Sequence, residues 1–270
     1  MNRISRQITR VAQRKKKALV AFITAGYPDI KTTERAVRVL EKAGVDMIEL
    51  GMPFSDPIAD GAVIQEASAV ALRKGMSVAK FLGLVRRVRR HSDLPLIMMT
   101  YYNPLLRYGF DRFSQDAAAS GLDGIIVPDM PVEESAGLRQ ALQRYDLNLI
   151  LLVSPVTGPQ RSQRIAQRSQ GFVYYVSLTG VTGTRQTLPA DVLTKVRKLK
   201  QSISRPVFVG FGISTPQQVQ GICRIADGVI IGSAIVKRMG QWQNDVSWPG
   251  RLGAYVRSLN RMTQVKYHHG

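Results

Sequence analysis

Eight short apolar runs, recurring about every 30 residues, constrain the fold of this 270-residue chain more than any other feature. They lie at 19–25, 45–50, 94–100, 124–128, 148–154, 172–177, 206–209 and 227–231. Each is continuous rather than alternating, so each predicts a strand buried on both faces, as in a parallel sheet. Between them the apolar spacing turns helical. Residues 31–44 place Ala36, Val37, Leu40 and Ala43 on one stripe and close on Gly44. Further helices are predicted at 62–75, 77–91, 111–120, 133–144, 159–169, 189–202, 215–224, 234–240 and 248–262, with 101–104 as the exit loop of the third strand. Eight consecutive βα units predict a single domain over 1–270, a TIM barrel, which typically takes about 250 residues. An open doubly wound sheet is the alternative, and the regularity of the units favours closure.

The ends add little to that frame. The first 17 residues are basic and carry no apolar core of the signal-peptide kind. They are Arg-rich and acid-free like a transit peptide, but Ile4, Ile8 and Val11 form one stripe, which favours an extra amphipathic N-terminal helix. Residues 265–270 are expected to be a disordered tail. No apolar run reaches the roughly 18 residues of a membrane span. A single cysteine, Cys223, excludes an internal disulfide and fits a reducing compartment, the cytoplasm or a plastid. Its apolar neighbours Val219, Ile222 and Ile225 mark it as a structural thiol.

Lys and Arg number 38 against 19 Asp and Glu, a net charge of +19. The basic residues cluster at 14–17, 86–90 and 195–200, where the last two groups alternate with Val and Leu as on a solvated helix face. No interleaved aromatics and no nucleic-acid motif accompany them, so no specific nucleic-acid partner is expected. An anionic substrate would gain from the field.

In such a barrel the chemistry belongs at the C-terminal ends of the strands. Glu49, Asp60, Tyr101, Asn103, Asp129, Tyr174, Thr182, Gly183, Gly212 and Gly232 all fall there. The stretch ELGMPFSDPIADG (49–61) sets a carboxylate at the end of a buried strand and another eleven residues on in a loop. Burial raises the pKa of one while the loop keeps the other ionised, a pairing suited to acid/base work. A polar strand end followed by a helix cap reads the same residues without chemistry. GFGIS (210–214) and IGSAI (231–235) follow strands seven and eight, where small residues let backbone N–H groups approach a phosphate. The Gly/Thr-rich segment 178–188 would complete that site and close as a lid. His91, His268 and His269 lie away from the strand ends, which argues against a metal site.

These motifs carry a resemblance. ELGMPFSDPIADG, with AFITAGYP (21–28), GVTG (180–183), GFGIS and GSAIV (232–236) in the same order and spacing, closely resembles the tryptophan synthase alpha subunit over residues 15–262. The resemblance implies retro-aldol cleavage of indole-3-glycerol phosphate to indole and glyceraldehyde 3-phosphate. It implies Glu49 as the proton shuttle, Asp60 at the indole N–H, and Tyr174 as a further active-site residue. Phe22, Tyr101, Thr182 and Phe211 would line the substrate pocket, and Gly183, Gly212, Gly232 and Ser233 would hold the phosphate. No cofactor is implied in this chain. A pyridoxal-phosphate-dependent beta subunit is the implied partner, in an alpha2-beta2 heterotetramer, with Pro53 and Asp56 at the docking surface. A stand-alone indole-releasing lyase, another phosphate-site barrel such as a phosphoribosyl isomerase, and a non-catalytic basic binding subunit are the alternatives. Two departures stand out: Ala62 where many members have proline, and the charge of +19.

Overall fold

The computed structural model describes residues 2–176, 190–210 and 212–264. Its strands are β1 (Ala18–Thr24), β2 (Met47–Gly51), β3 (Leu96–Met99), β4 (Gly124–Ile126), β5 (Asn148–Ile150), β6 (Leu152–Val153), β7 (Val173–Val176), β8 (Val207–Gly210) and β9 (Gly228–Ile231). They pair in parallel in the order β5-β4-β3-β2-β1-β9-β8-β7-β6. The two ends of that order, β5 and β6, are consecutive in the chain and separated only by Leu151. They are therefore two halves of the predicted fifth strand. The first half pairs with β4 and the second with β7. The Leu151 carbonyl accepts from Tyr174 N–H at 3.0 Å, continuing the ladder across the join. The ring closes as an eight-stranded TIM barrel, with one strand changing partners midway.

The helices are α1 (Arg3–Gln13), α2 (Ile30–Lys42), α3 (Ala62–Arg73), α4 (Val78–Arg89), α5 (Tyr102–Tyr108), α6 (Phe110–Ser120), α7 (Ser135–Gln143), α8 (Pro159–Arg168), α9 (Ala190–Ser202), α10 (Pro216–Cys223), α11 (Ser233–Trp242) and α12 (Trp248–Asn260). One corrects the sequence reading. Residues 101–104, expected as an exit loop, lead straight into α5. Asp129 starts that helix by accepting Tyr102 N–H at 2.9 Å. Pro104 stands in its first turn, where a missing N–H removes no helical bond.

Strand alternation sorts the apolar residues into two cores. Leu19, Ala21, Ile23, Ile48, Leu50, Leu96 and Met98 face the helices. Val20, Met47, Ile97, Ile126, Ile150, Phe172, Tyr174, Phe208 and Ile230 fill the barrel. Ile4 and Val11 of α1 join this interior cluster, so α1 seals the N-terminal end. Its seat needs small residues. A Cβ at Gly124 would lie 2.7 Å from the Ile4 Cδ1, and one at Gly171 2.9 Å from its Cγ2.

Three aspartates finish that end in one repeated way. Asp46, Asp123 and Asp227 each precede a strand, and each accepts a backbone N–H from a neighbouring strand: Leu19 at 2.8 Å, Leu96 at 2.9 Å and Val207 at 2.9 Å. Each also holds a cation: Lys16 at 2.9 Å, Arg89 at 2.8 Å and Lys200 at 2.6 Å. Arg89 and Lys200 come from the clusters expected to be solvated, so part of the basic surplus is structural. Cys223 is buried in α10 as expected, and burial pushes its thiol up to about 12. The expected tail at 265–270 lies outside the described residues.

Candidate active site

Alternation along β2 directs Met47, Glu49 and Gly51 into the barrel and Ile48 and Leu50 outward. Glu49 thus enters from the upper part of the strand, level with Phe22 on β1 and Ile97 on β3. It is fully buried, and neither carboxyl oxygen has a hydrogen-bond partner among the described residues. Burial, and secondarily the nearby Asp60 charge, push its pKa up to about 8. An unpartnered buried carboxyl costs stability and calls for an explanation. Tyr174 on β7 shares the interior. Its pKa is raised well above the ordinary value by burial, then by the charges of Glu49 and Asp60. Its ring lies against Gly210, where a Cβ would collide with the hydroxyl.

Asp60 reaches the same space from the loop after β2. It is half-buried, and its pKa rises to about 6, because burial outweighs the lowering effect of a hydrogen bond from Tyr101. That bond is the centre of a clip. The Tyr101 hydroxyl donates to Asp60 Oδ2 at 3.2 Å and accepts Ala59 N–H at 2.9 Å. The Tyr101 ring stacks on Phe54 with centroids 4.9 Å apart. Gln65 of α3 adds a bond to the Asp60 carbonyl at 2.9 Å. The loop is therefore fixed at both ends of its acidic half. Ala62 simply opens α3 behind the cap residue Gly61, which makes no side-chain cap bond.

Phe22, Asp60 and Tyr101 line one small pocket with Thr24, Gly51, Ile64, Met99 and Thr100. Phe22 fits because residues 51 and 232 are glycines: a Cβ at either would come within 2.5 Å and 3.3 Å of its ring. Thr24, Ile64, Met99 and Thr100 are residues the sequence reading missed. The signal for Thr24 was present, since it lies two positions beyond Phe22 on the same strand face. Its hydroxyl is buried without a hydrogen-bond partner among the described residues, like Glu49.

The end expected from the sequence to take phosphate is built on β8 and β9, next to β1. Gly232 caps α11 with no side-chain cap bond, which leaves the first N–H groups of α11 available, with Ser233 as its first residue. Gly212 has φ of +43° and open space where a Cβ would stand. Thr182, Gly183 and Phe211, with the expected lid at 178–188, lie outside the described residues. Asn103 and Asp129, both at strand ends, stay out of the pocket: Asn103 is exposed, and Asp129 starts α5. Pro53 is buried, while Asp56 is exposed beside the strongly exposed Ile58. Among the described residues no group of His, Cys, Asp or Glu is arranged to hold a metal.

The arrangement offers one carboxyl that holds a proton at neutral pH, one that releases it, an aromatic slot and a helix N-terminus without a side-chain cap. Comparison with known proteins agrees in kind. The family model for the tryptophan synthase alpha chain matches residues 8–263. The tryptophan synthase alpha chain of Geotalea uraniireducens is 44% identical over 259 residues, covering 96% of this chain and 97% of that protein. That of Geotalea daltonii is 46% identical over 242 residues, covering 90% and 92%. Among solved structures, the alpha subunit of tryptophan synthase from Legionella pneumophila superposes with a TM-score of 0.91 at 35% identity, covering 97% of this chain and 98% of that one.

Proposed function

The chain belongs to the tryptophan synthase alpha chain family, whose members cleave indole-3-glycerol phosphate in tryptophan biosynthesis, and on that premise we propose that Glu49 and Asp60 move the protons of this lyase reaction. Cleavage breaks the bond between indole C3 and the glycerol carbon that bears a hydroxyl. C3 must gain a proton, and that hydroxyl must lose one as it becomes the aldehyde of glyceraldehyde 3-phosphate. Polarisation of the indole N–H toward a base assists protonation at C3, and the N–H is restored in the product. Glu49, protonated at neutral pH, delivers the proton to C3; its carboxylate then accepts the hydroxyl proton, which resets it for the next turnover. Asp60, ionised at the same pH, faces the indole N–H.

Tyr174 acts beside Glu49 as a wall that keeps water from the carboxyl. Phe22 and Tyr101, with Thr182 and Phe211, bound the indole. Gly212, Gly232 and Ser233, with Gly183, take the phosphate, whose charge the N-terminus of α11 favours. The observation that supports the reading is Glu49 itself: a buried carboxyl with no hydrogen-bond partner among the described residues, raised to about 8, beside a pocket that Asp60 borders.

A beta subunit is the family partner. The reading extends to an alpha2-beta2 heterotetramer in the cytoplasm, docked through the loop that the buried Pro53 anchors and that presents the exposed Asp56 and Ile58. Pyridoxal phosphate is assigned to the beta subunit and no cofactor to this chain. Glu49→Gln should lower indole release from indole-3-glycerol phosphate by at least about a thousandfold. Near-normal turnover would end the assignment. Running the assay with and without a beta subunit separates a dependent subunit from one that releases free indole alone.

A further inference from the structure

On the outer wall of the barrel, α2 and α12 lie side by side and leave a groove of about 420 Å³ between them. Arg35, Arg38 and Lys42 project into it from one stripe of α2, and Arg257 from α12. Arg38 is the only one of the four with an acidic partner among the described residues, Glu34 at 2.9 Å. Arg35 lies over the Trp248 ring at 5.3 Å, which neutralises nothing. Val39 of α2 and the buried Gly253 of α12 meet between the helices, where a Cβ at Gly253 would lie 3.6 Å from Val39 Cγ1, and the exposed Gly250 adds no side chain to the lining. A Cβ at Gly253 would lie 3.1 Å from Arg257 Nη1, one turn further along α12, so this guanidinium lies over Gly253 at the edge of the groove. None of these residues borders the catalytic pocket.

We propose that this groove binds a small linear polyphosphate, the triphosphate of a nucleotide-like metabolite or its inorganic equivalent. Planar guanidinium groups pair with phosphate oxygens in bidentate fashion, and three unneutralised cations in one concavity raise the local potential above that of the surrounding basic surface. From Arg35 to Lys42 the helix rises about 10 Å. That span is too long for one phosphate group and suits a chain of them. The site is separate from the one that takes the substrate phosphate, so occupancy need not compete with catalysis.

Titration calorimetry of the intact protein with tripolyphosphate tests the proposal. One saturable site is expected. Arg35→Glu/Arg257→Glu should weaken it at least about tenfold, while Arg197→Glu/Lys198→Glu on α9 removes the same charge elsewhere and should leave it within about twofold. Both variants should release indole at the wild-type rate, and Arg35→Gln/Arg257→Gln repeats the test should charge reversal impair folding. Equal weakening by the two charge-reversed variants, as for an RNA spread over a diffuse basic surface, would overturn the site. So would a lack of saturation, or orthophosphate binding as tightly as tripolyphosphate.

Discussion

At the scale of single residues, two carboxyls whose environments differ set the pH behaviour. In the proposed roles Asp60 works ionised, so kcat/KM should fall as pH drops through about 6, and Glu49 works protonated, so it should fall again above about 8. A bell centred near neutrality is expected from steady-state rates across pH, and a flat profile would contradict the division of roles. The same group affects stability with a definite sign. Glu49 in the fold holds its proton to about 8, against 4.5 for an ordinary glutamate. The unfolded chain has released that proton across the window between them, so stability declines as pH rises through it. Glu49→Gln should therefore raise unfolding free energy at pH 7 by about 3 kcal/mol, and by little near pH 4, in denaturant titrations. Tyr101→Phe removes a bond that favours the ionised form of Asp60. The acid limb should move upward, with kcat/KM down about tenfold.

At the scale of elements, the seat of α1 and the closure of strand five are the informative cases. Gly124→Ala should cost about 1–3 kcal/mol, because its methyl would press on the Ile4 Cδ1. Ile4→Val removes that carbon. The double variant should lose less than the sum of the two, measured by denaturant unfolding as a double-mutant cycle. The alternation of apolar runs with helical stripes was enough to read the barrel and the buried face of α1 from the chain. It could not reveal that strand five changes partners at Leu151, because pairing depends on neighbours far away in sequence. Helix α5 escaped because seven residues containing Pro104 carry too little periodicity. Glu49 and Asp60 were legible as a motif. The hydroxyl that joins Tyr101 to Asp60 and Ala59 was not, and neither were the links of Arg89 to Asp123 and Lys200 to Asp227. Those pairs are made by folding, across 41, 42, 34 and 27 positions.

At the scale of the whole molecule, work and upkeep occupy opposite ends of the barrel. The Asp46, Asp123 and Asp227 clamps and α1 close the N-terminal end, while the pocket and the α11 terminus stand at the other. Excess positive charge, +19 over 270 residues, surrounds both. Added salt should raise KM for the phosphorylated substrate about threefold or more and leave kcat nearly unchanged, since screening weakens the approach of an anion rather than proton transfer inside a dry barrel. The Tyr101 clip then acquires a wider meaning. One oxygen both grips the main chain of the loop and sets how readily Asp60 gives up its proton. Any body that pushes or pulls on Ile58 at the loop's exposed crest therefore turns a dial on acidity within, much as a strain gauge converts displacement into voltage.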